Sequence, residues 1–257
     1  MEEASGFRIS SFGYVAENKA LGSKIILVTP IEDLPLLDGD LKSNSQTKEA
    51  TGKDASGVSY SLKVDVDNVV EAEWLPLGSN RKTAPDVRRG VRVVIWKYGD
   101  SDKYYWTTTG QDDHLFKLET VLYCWSGTKD ESATEQTPDN SYFAEVSTHK
   151  KTITVKTSKA NGEAFSYTIQ VNAADSAVIV SDDAGNYFEL DSEERKLTLK
   201  NSDDTSVILD KRDLLFNAPD NLIAEAGQSI VFRCGASCLT LTPGETSLIT
   251  PKFRGDK

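Results

Sequence analysis

Between residues 186 and 253 the chain returns to an apolar residue every seven to ten positions, at Leu190, Leu199, Leu209, Phe216, Ala224, Phe232, Leu241 and Ile249. Within most of these units apolar and polar residues alternate, as in Lys196-Leu197-Thr198-Leu199-Lys200 and Ser229-Ile230-Val231-Phe232-Arg233-Cys234. That two-residue period is the mark of a strand with one buried face. Turn formers divide the units: Asn201-Ser202-Asp203-Asp204, Pro219-Asp220-Asn221, Gly227-Gln228, Gly235-Ala236 and Pro243-Gly244. A short strand that turns so often cannot bury its inner face alone, so neighbouring units or further copies must close the core. The pattern therefore predicts oligomerisation, with an ordinary β-meander or a single-chain β-solenoid as alternatives.

The remaining sequence bounds what such a segment serves. A chain of 257 residues has material for one large or two modest domains. Its net charge of −11 argues against a protein that grips phosphate backbones, which needs a basic face. Three cysteines, Cys124, Cys234 and Cys238, form an odd set without tight metal spacing, which argues against a disulfide framework and fits reduced, cytosolic assembly. The N-terminal Met1-Glu2-Glu3-Ala4-Ser5-Gly6 is acidic where a secretory signal is basic, and no apolar run reaches membrane-spanning length.

Along the chain, strand and turn signals dominate. Phe12-Gly13-Tyr14-Val15 leads into Lys24-Ile25-Ile26-Leu27-Val28-Thr29, whose β-branched content suits a buried strand. Residues 38–57 read as a long mobile loop, and strands resume over 58–66 and 69–75. The stretch 85–107 predicts two strands around Gly99-Asp100-Ser101-Asp102, completing about five strands in about a hundred residues, the economy of a small OB-type barrel. Over 111–125 one helical turn followed by a strand is expected, and 126–141 reads as a linker. Residues 150–157 and 164–171 predict a hairpin with a turn at Asn161-Gly162, followed by Ala177-Val178-Ile179-Val180.

Two parts of this pattern resemble one known family. Asp183-Ala184-Gly185-Asn186-Tyr187-Phe188-Glu189-Leu190-Asp191, residues 217–227 and Ala226-Gly227-Gln228-Ser229-Ile230 resemble the spike repeats of contractile phage tails and of the valine-glycine-repeat spike of type VI secretion. The hairpin around Gly99-Asp100-Ser101-Asp102 resembles the last hairpin of the OB domain that precedes the spike in that family. The resemblance implies an all-β chain: an N-terminal OB-type barrel (1–112), a connecting β region with a hairpin (113–182), and a C-terminal intertwined trimeric β-prism or β-helix of roughly eight-residue repeats (183–257). The implied role is a structural virion protein, the central spike of a tail baseplate, assembled in the host cytoplasm and touching the host envelope transiently as it punctures it. The lysozyme domain of T-even-like spikes has no room between barrel and repeats, so a cell-wall hydrolase is not expected, and a separate hub protein is. The alternative from another class is a carbohydrate- or nucleic-acid-binding OB module on a β-solenoid stalk; an enzyme is a third.

Within the resemblance, Leu190, Leu199, Leu209, Phe216, Ala224, Phe232, Leu241 and Ile249 are the expected core of a homotrimer. Leu241, Leu248, Ile249 and Phe253 are the expected platform for a small tip protein with proline-alanine-alanine-arginine repeats, rimmed by Lys252 and Arg254; the other possibility is that the tail folds over its own end. Arg81, Lys82, Arg88, Arg89 and Arg92 form the one basic cluster and are expected to face an acidic partner such as the hub. Catalytic groups, metals and cofactors are not expected: His114 and His149 stand apart from any nucleophile motif, Cys234 and Cys238 read as packing residues, and Asp100 and Asp102 lack an EF-hand series. The aromatic set Trp74, Trp96, Trp106, Tyr98, Tyr104 and Tyr105 is expected in barrel core and subunit contacts rather than on nucleic acid, for want of a basic funnel.

Overall fold

A computed structural model of the chain describes residues 6–32, 46–53, 59–66, 69–110 and 118–254. Every regular element in them is a strand. The first two, β1 (Phe7–Val15) and β2 (Ile25–Pro30), are antiparallel, and after them β3 (Gln46–Lys53) and β4 (Ser59–Val66) pair only with each other as a separate hairpin. The expected loop over 38–57 is therefore partly a strand. Gln46–Lys53 carries no apolar alternation to betray it, yet it pairs with β4 along its whole length. The strand expected over 58–66 is present but stands outside the barrel.

β5 (Val70–Trp74), β6 (Arg92–Tyr98) and β7 (Tyr104–Thr108) complete a closed barrel in the order β1-β2-β5-β7-β6, with β6 returning to β1. Counted among barrel strands alone, the order is first-second-third-fifth-fourth, and only the third and fifth, β5 and β7, run parallel. The barrel is filled by Val15, Val28, Trp74, Val93, Ile95 and Trp106 among others, and the Trp106 indole N–H donates to the Lys24 carbonyl at 3.0 Å. This satisfies the one polar atom that so large a buried ring brings inside. At Gly13 the barrel wall closes so tightly that a Cβ would stand 2.7 Å from Ile95 and Val28 side-chain carbons.

Beyond the barrel runs one antiparallel meander: β8 (Thr120–Ser126), β9 (Ser141–Ser147), β10 (Thr152–Lys156), β11 (Tyr167–Asn172), β12 (Ala177–Asp182), β13 (Tyr187–Asp191), β14 (Lys196–Lys200), β15 (Ser206–Asp210) and β16 (Asp213–Asn217). The expected strand after 111–119 is β8; the helical turn expected before it falls on residues outside those described. The linker expected over 126–141 ends one residue into β9, a strand the sequence reading did not assign. The hairpin expected over 150–171 is β10–β11, but it does not close on a two-residue Asn-Gly turn. Lys156 pairs with Thr168, and the connection is long, with Gly162 taking φ 95° in a local turn from Lys159. Strong turn residues marked a turn within the loop rather than the hairpin's tip. The boundary drawn between 182 and 183 falls in the β12–β13 turn, inside one continuous sheet.

Residues 218–229 form no strand and expose nearly all their side chains. They lead to a separate three-stranded sheet, β17 (Ile230–Cys234), β18 (Ser237–Leu241) and β19 (Thr246–Ile249). Residues 186–253 thus hold seven strands in two sheets rather than eight uniform units, and the expected unit at Ala224 is the one without a strand.

The barrel and the meander meet along β8. The Lys82 N–H donates to the Leu122 carbonyl at 2.7 Å and the Cys124 N–H to the Asn80 carbonyl at 3.1 Å, so residues 80–83 cover the edge of the first strand. Arg81 pairs with Glu119 across the same seam, and Asp86 links Lys19 (2.7 Å) to His149 (3.0 Å) in the β9–β10 turn. An exposed strand edge invites wrong pairing, and here the barrel removes it. The opposite edge, β16, has no such cover in the described chain.

Candidate functional site

Direct cross-strand partners share a sheet face, so the register sorts the meander into two surfaces. One carries Val121, Tyr123 and Trp125 on β8, Tyr142, Ala144 and Val146 on β9, and Ile153 and Val155 on β10. It continues through Tyr167, Ile169 and Val171, then Val178 and Val180, then Phe188 and Leu190. Leu197, Leu199, Val207, Leu209, Leu214 and Phe216 complete it. Every paired position on this face is apolar except Asp182 at the end of β12. The other face is mostly Thr, Ser, Lys, Glu and Gln, with the smallest of them, such as Ser141, Ser147, Thr198 and Ser206, buried under longer neighbours.

The apolar face is bare in the single chain. Leu199, Leu214 and Phe216 are more than half exposed, and Ile153, Ile169 and Val155 nearly so. A depression of about 450 Å³ lies in it between Tyr167, Val180, Phe188, Leu199 and Val207, walled by the 182–186 and 201–205 turns. Isolated soluble chains rarely show an apolar patch beyond about 300–600 Å². A ribbon of nine strands, most with two or three large apolar side chains on this face, makes a continuous apolar surface.

Of the expected core residues, Leu190, Leu199, Leu209 and Phe216 all lie on this one face. Ala224 belongs to the strandless segment. In the terminal sheet Phe232 and Leu241 share a face with Ile230, Leu239 and Leu248, whereas Ile249 pairs with Cys238 on the other. The tip set is divided likewise, Leu241 and Leu248 on one side and Ile249 on the other, with Phe253 exposed beyond the last strand. Sequence reasoning missed the contribution of β8–β12 to the apolar face. The signal was present in Ile153-Thr154-Val155 and Tyr167-Thr168-Ile169-Gln170-Val171, which alternate as cleanly as the later units.

The members of the basic cluster differ in their surroundings. Arg81 is engaged inside the chain, its guanidinium on Glu119 and its Nε donating to the Thr83 carbonyl at 2.6 Å. Lys82 and Arg88 are exposed, and Arg92 lies on β6 facing out of the barrel. The Arg89 backbone N–H bonds Asn18 at 3.0 Å. Among the aromatic residues, Trp74 and Trp106 fill the barrel, while Trp96 stacks on Phe7 at 5.6 Å on its outer wall. His149 is taken up by Asp86, and His114 lies outside the described residues. Among those described, no three of His, Cys, Asp and Glu gather as metal ligands.

Several groups have displaced titrations, and two of them lie on strands β8 and β12 of the meander. Burial pushes the Cys124 thiol up, opposed by the charge of Lys82. The Asn186 side-chain amide holds Asp182 below the usual carboxylate range, helped by backbone N–H groups of the same turn. No protein-family model matches the chain, and no curated protein is similar to it.

Proposed function

We propose that three copies of this chain assemble into a stiff spike, with the apolar faces of their meanders turned to a common axis. The observation that carries the proposal is the apolar face that crosses all nine strands of the sheet, interrupted only by Asp182 at its margin. Its dimensions favour three copies. Most strands from β10 onward are five or six residues long, roughly 17 Å. An equilateral triangle of that side has its centre about 5 Å from each edge, half of the about 10 Å between packed sheets. Three such ribbons therefore enclose a space that one layer of side chains from each fills, whereas four would leave a void at the axis.

The barrel's strand order, with its single parallel pair, supports the OB-type assignment, and barrel followed by β-stalk is the order of the contractile-tail spikes that the sequence resembles. On this reading the protein is the central spike of a tail baseplate, seated on a separate hub by the barrel end and puncturing the host envelope with the terminal sheet, bare or covered by a tip protein. The role is mechanical and uses no catalytic group.

Sedimentation equilibrium tests the assembly. The expected mass is three times 28.2 kDa, about 85 kDa, persisting at micromolar concentration. A two-chain mass replaces the prism with a two-sheet sandwich, and a stable monomer removes the spike reading altogether.

A further inference from the structure

On the opposite, polar face of the sheet a groove of about 670 Å³ opens between the barrel, loop 127–140 and the first four strands of the meander. That is within the range of small-ligand sites, about 300–1,000 Å³. Besides the carboxylates of Glu135 and Glu145, its lining combines three kinds of chemistry. Leu122, Phe143 and Pro138 supply apolar surface. Thr134, Gln136, Thr152, Thr154 and Gln170 supply neutral donors and acceptors, with the Gln170 amide donating to the Thr154 hydroxyl at 3.1 Å. Lys24, Lys82 and Lys150 supply positive charge.

The charges are not all neutralised. Lys150 is held by Glu145 at 3.0 Å, but the ammonium groups of Lys24 and Lys82 have no hydrogen-bond or ion-pair partner among the described residues. The Lys82 charge reaches the groove floor, where it acts on the Cys124 thiol. Two unpaired cations at a concave site are notable in a chain of net charge −11, because a cleft concentrates their field on whatever enters.

We propose that this groove binds a saccharide bearing an acidic group, carboxylate or phosphate, through Lys24 and Lys82. The Thr and Gln side chains meet the sugar hydroxyls, and Phe143 with Leu122 takes an apolar ring face. A simple anion has no use for a row of neutral hydrogen-bonding groups, and a neutral sugar has none for two free ammonium groups. A nucleobase gains most between two aromatic rings, and the groove offers the single ring of Phe143. The site does not depend on three-copy assembly, since it lies on the face that arrangement leaves outward.

The test is calorimetric titration of the full chain at low salt with three probes: a galacturonate trisaccharide, the neutral galactose trisaccharide, and inorganic phosphate; galactose 6-phosphate as a fourth separates phosphate from carboxylate as the acid. The acidic trisaccharide, the sugar phosphate or both bind in the millimolar range or tighter, about tenfold better than the neutral sugar. Lys24→Gln and Lys82→Gln each weaken that binding about fivefold, with unchanged melting temperature because both lysines are exposed. Gln170→Ala weakens acidic and neutral sugar alike. No binding at about 10 mM, affinity indifferent to both lysine variants, or phosphate binding as tightly as the acidic sugars overturns the proposal. None of these outcomes bears on the sedimentation mass, so failure of the groove and failure of the spike reading are separately visible.

Discussion

Thr168 and Ile169 are neighbours on β11 that point to opposite faces of the meander, and aspartate at each position separates a lone chain from an assembled one. Ile169 is 50% exposed in the single chain. If the chain acts alone, Ile169→Asp loses only the buried half of a contribution worth about 1.5–3 kcal/mol in full, roughly 1 kcal/mol. If three copies close on the axis, the other half is lost as well, and each new carboxylate is taken out of water beside two like charges. That penalty is several kcal/mol per ion, so the assembled spike loses on the order of 10 kcal/mol. At about 1.4 kcal/mol per decade, the dissociation constant rises by several powers of ten, enough to leave monomers at micromolar concentration. Thr168→Asp on the outward face stays within about 0.5 kcal/mol. Sedimentation velocity and thermal melts at two concentrations read both variants. Equal masses and equal melting temperatures for Ile169→Asp and Thr168→Asp would refute the inward placement of the apolar face.

Three further outcomes are expected. Gly13→Ala drives a methyl to within 2.8 Å of the Thr29 carbonyl as well as into Ile95 and Val28, and costs at least about 1–3 kcal/mol by overpacking; an unchanged denaturation midpoint would show that the barrel wall yields. Asp182 is held ionised by Asn186, so its folded value lies below its unfolded one: the stabilisation is present above the unfolded value and lost as pH falls through the folded one. Asn186→Ala should flatten the acid side of a melting-temperature profile, and an identical acid limb counts against that link. Cys234 is exposed in the single chain and shares a face with Phe232; in the assembled spike it is shielded, so a maleimide labels it only after dissociation, whereas rapid labelling of intact assembly leaves the terminal sheet outside the interface.

How much of this was legible in the sequence depends on which physical signal each part leaves. Apolar alternation wrote the strands from Tyr187 to Asn217 plainly, because one face must be apolar wherever it is buried, and the four expected core residues there do share a face. β3 left no trace, since a strand held only by its hairpin partner asks nothing of its side chains in sequence periodicity. The parity of a strand was the next weakness. In Thr246–Ile249 both Leu248 and Ile249 are apolar, so pattern alone does not say which points inward, and the register puts Leu248 with Phe232 and Ile249 opposite. Arg81 looked like part of a docking patch because sequence shows charge but not its partner; Glu119, 38 residues on, takes it up. The groove on the polar face was illegible for a similar reason, being assembled from a barrel turn, a long loop and four strands.

If the chain forms a spike as proposed, the direction of its strands decides how it carries load. Successive strands stack along the length of the ribbon, so axial force crosses from strand to strand through backbone hydrogen bonds rather than along the covalent chain. Such a ladder resists compression only while its margins stay aligned, and one margin of this sheet carries additional bonds between its turns. The turns 148–151, 173–176 and 192–195 each end on a non-glycine residue in the left-handed region, Lys151 (φ 58°), Ser176 (56°) and Arg195 (54°). The carbonyl of each accepts a backbone N–H from the next turn along: Ala173 to Lys151 at 2.9 Å, Ser192 to Ser176 at 2.9 Å and Lys211 to Arg195 at 3.2 Å. A left-handed conformation costs an ordinary residue about 1 kcal/mol. Here it turns the carbonyl toward the neighbouring turn, so the strain is coupled to a bond that extends the β10–β11, β12–β13 and β14–β15 ladders by one residue and links successive turns. The tie runs in the direction of axial force and adds to the ladder rather than competing with it. On the proposed reading the turn column adds to the apolar face as a source of stiffness, and inserting a residue into one of these turns is expected to remove its bond to the next turn while leaving the face intact.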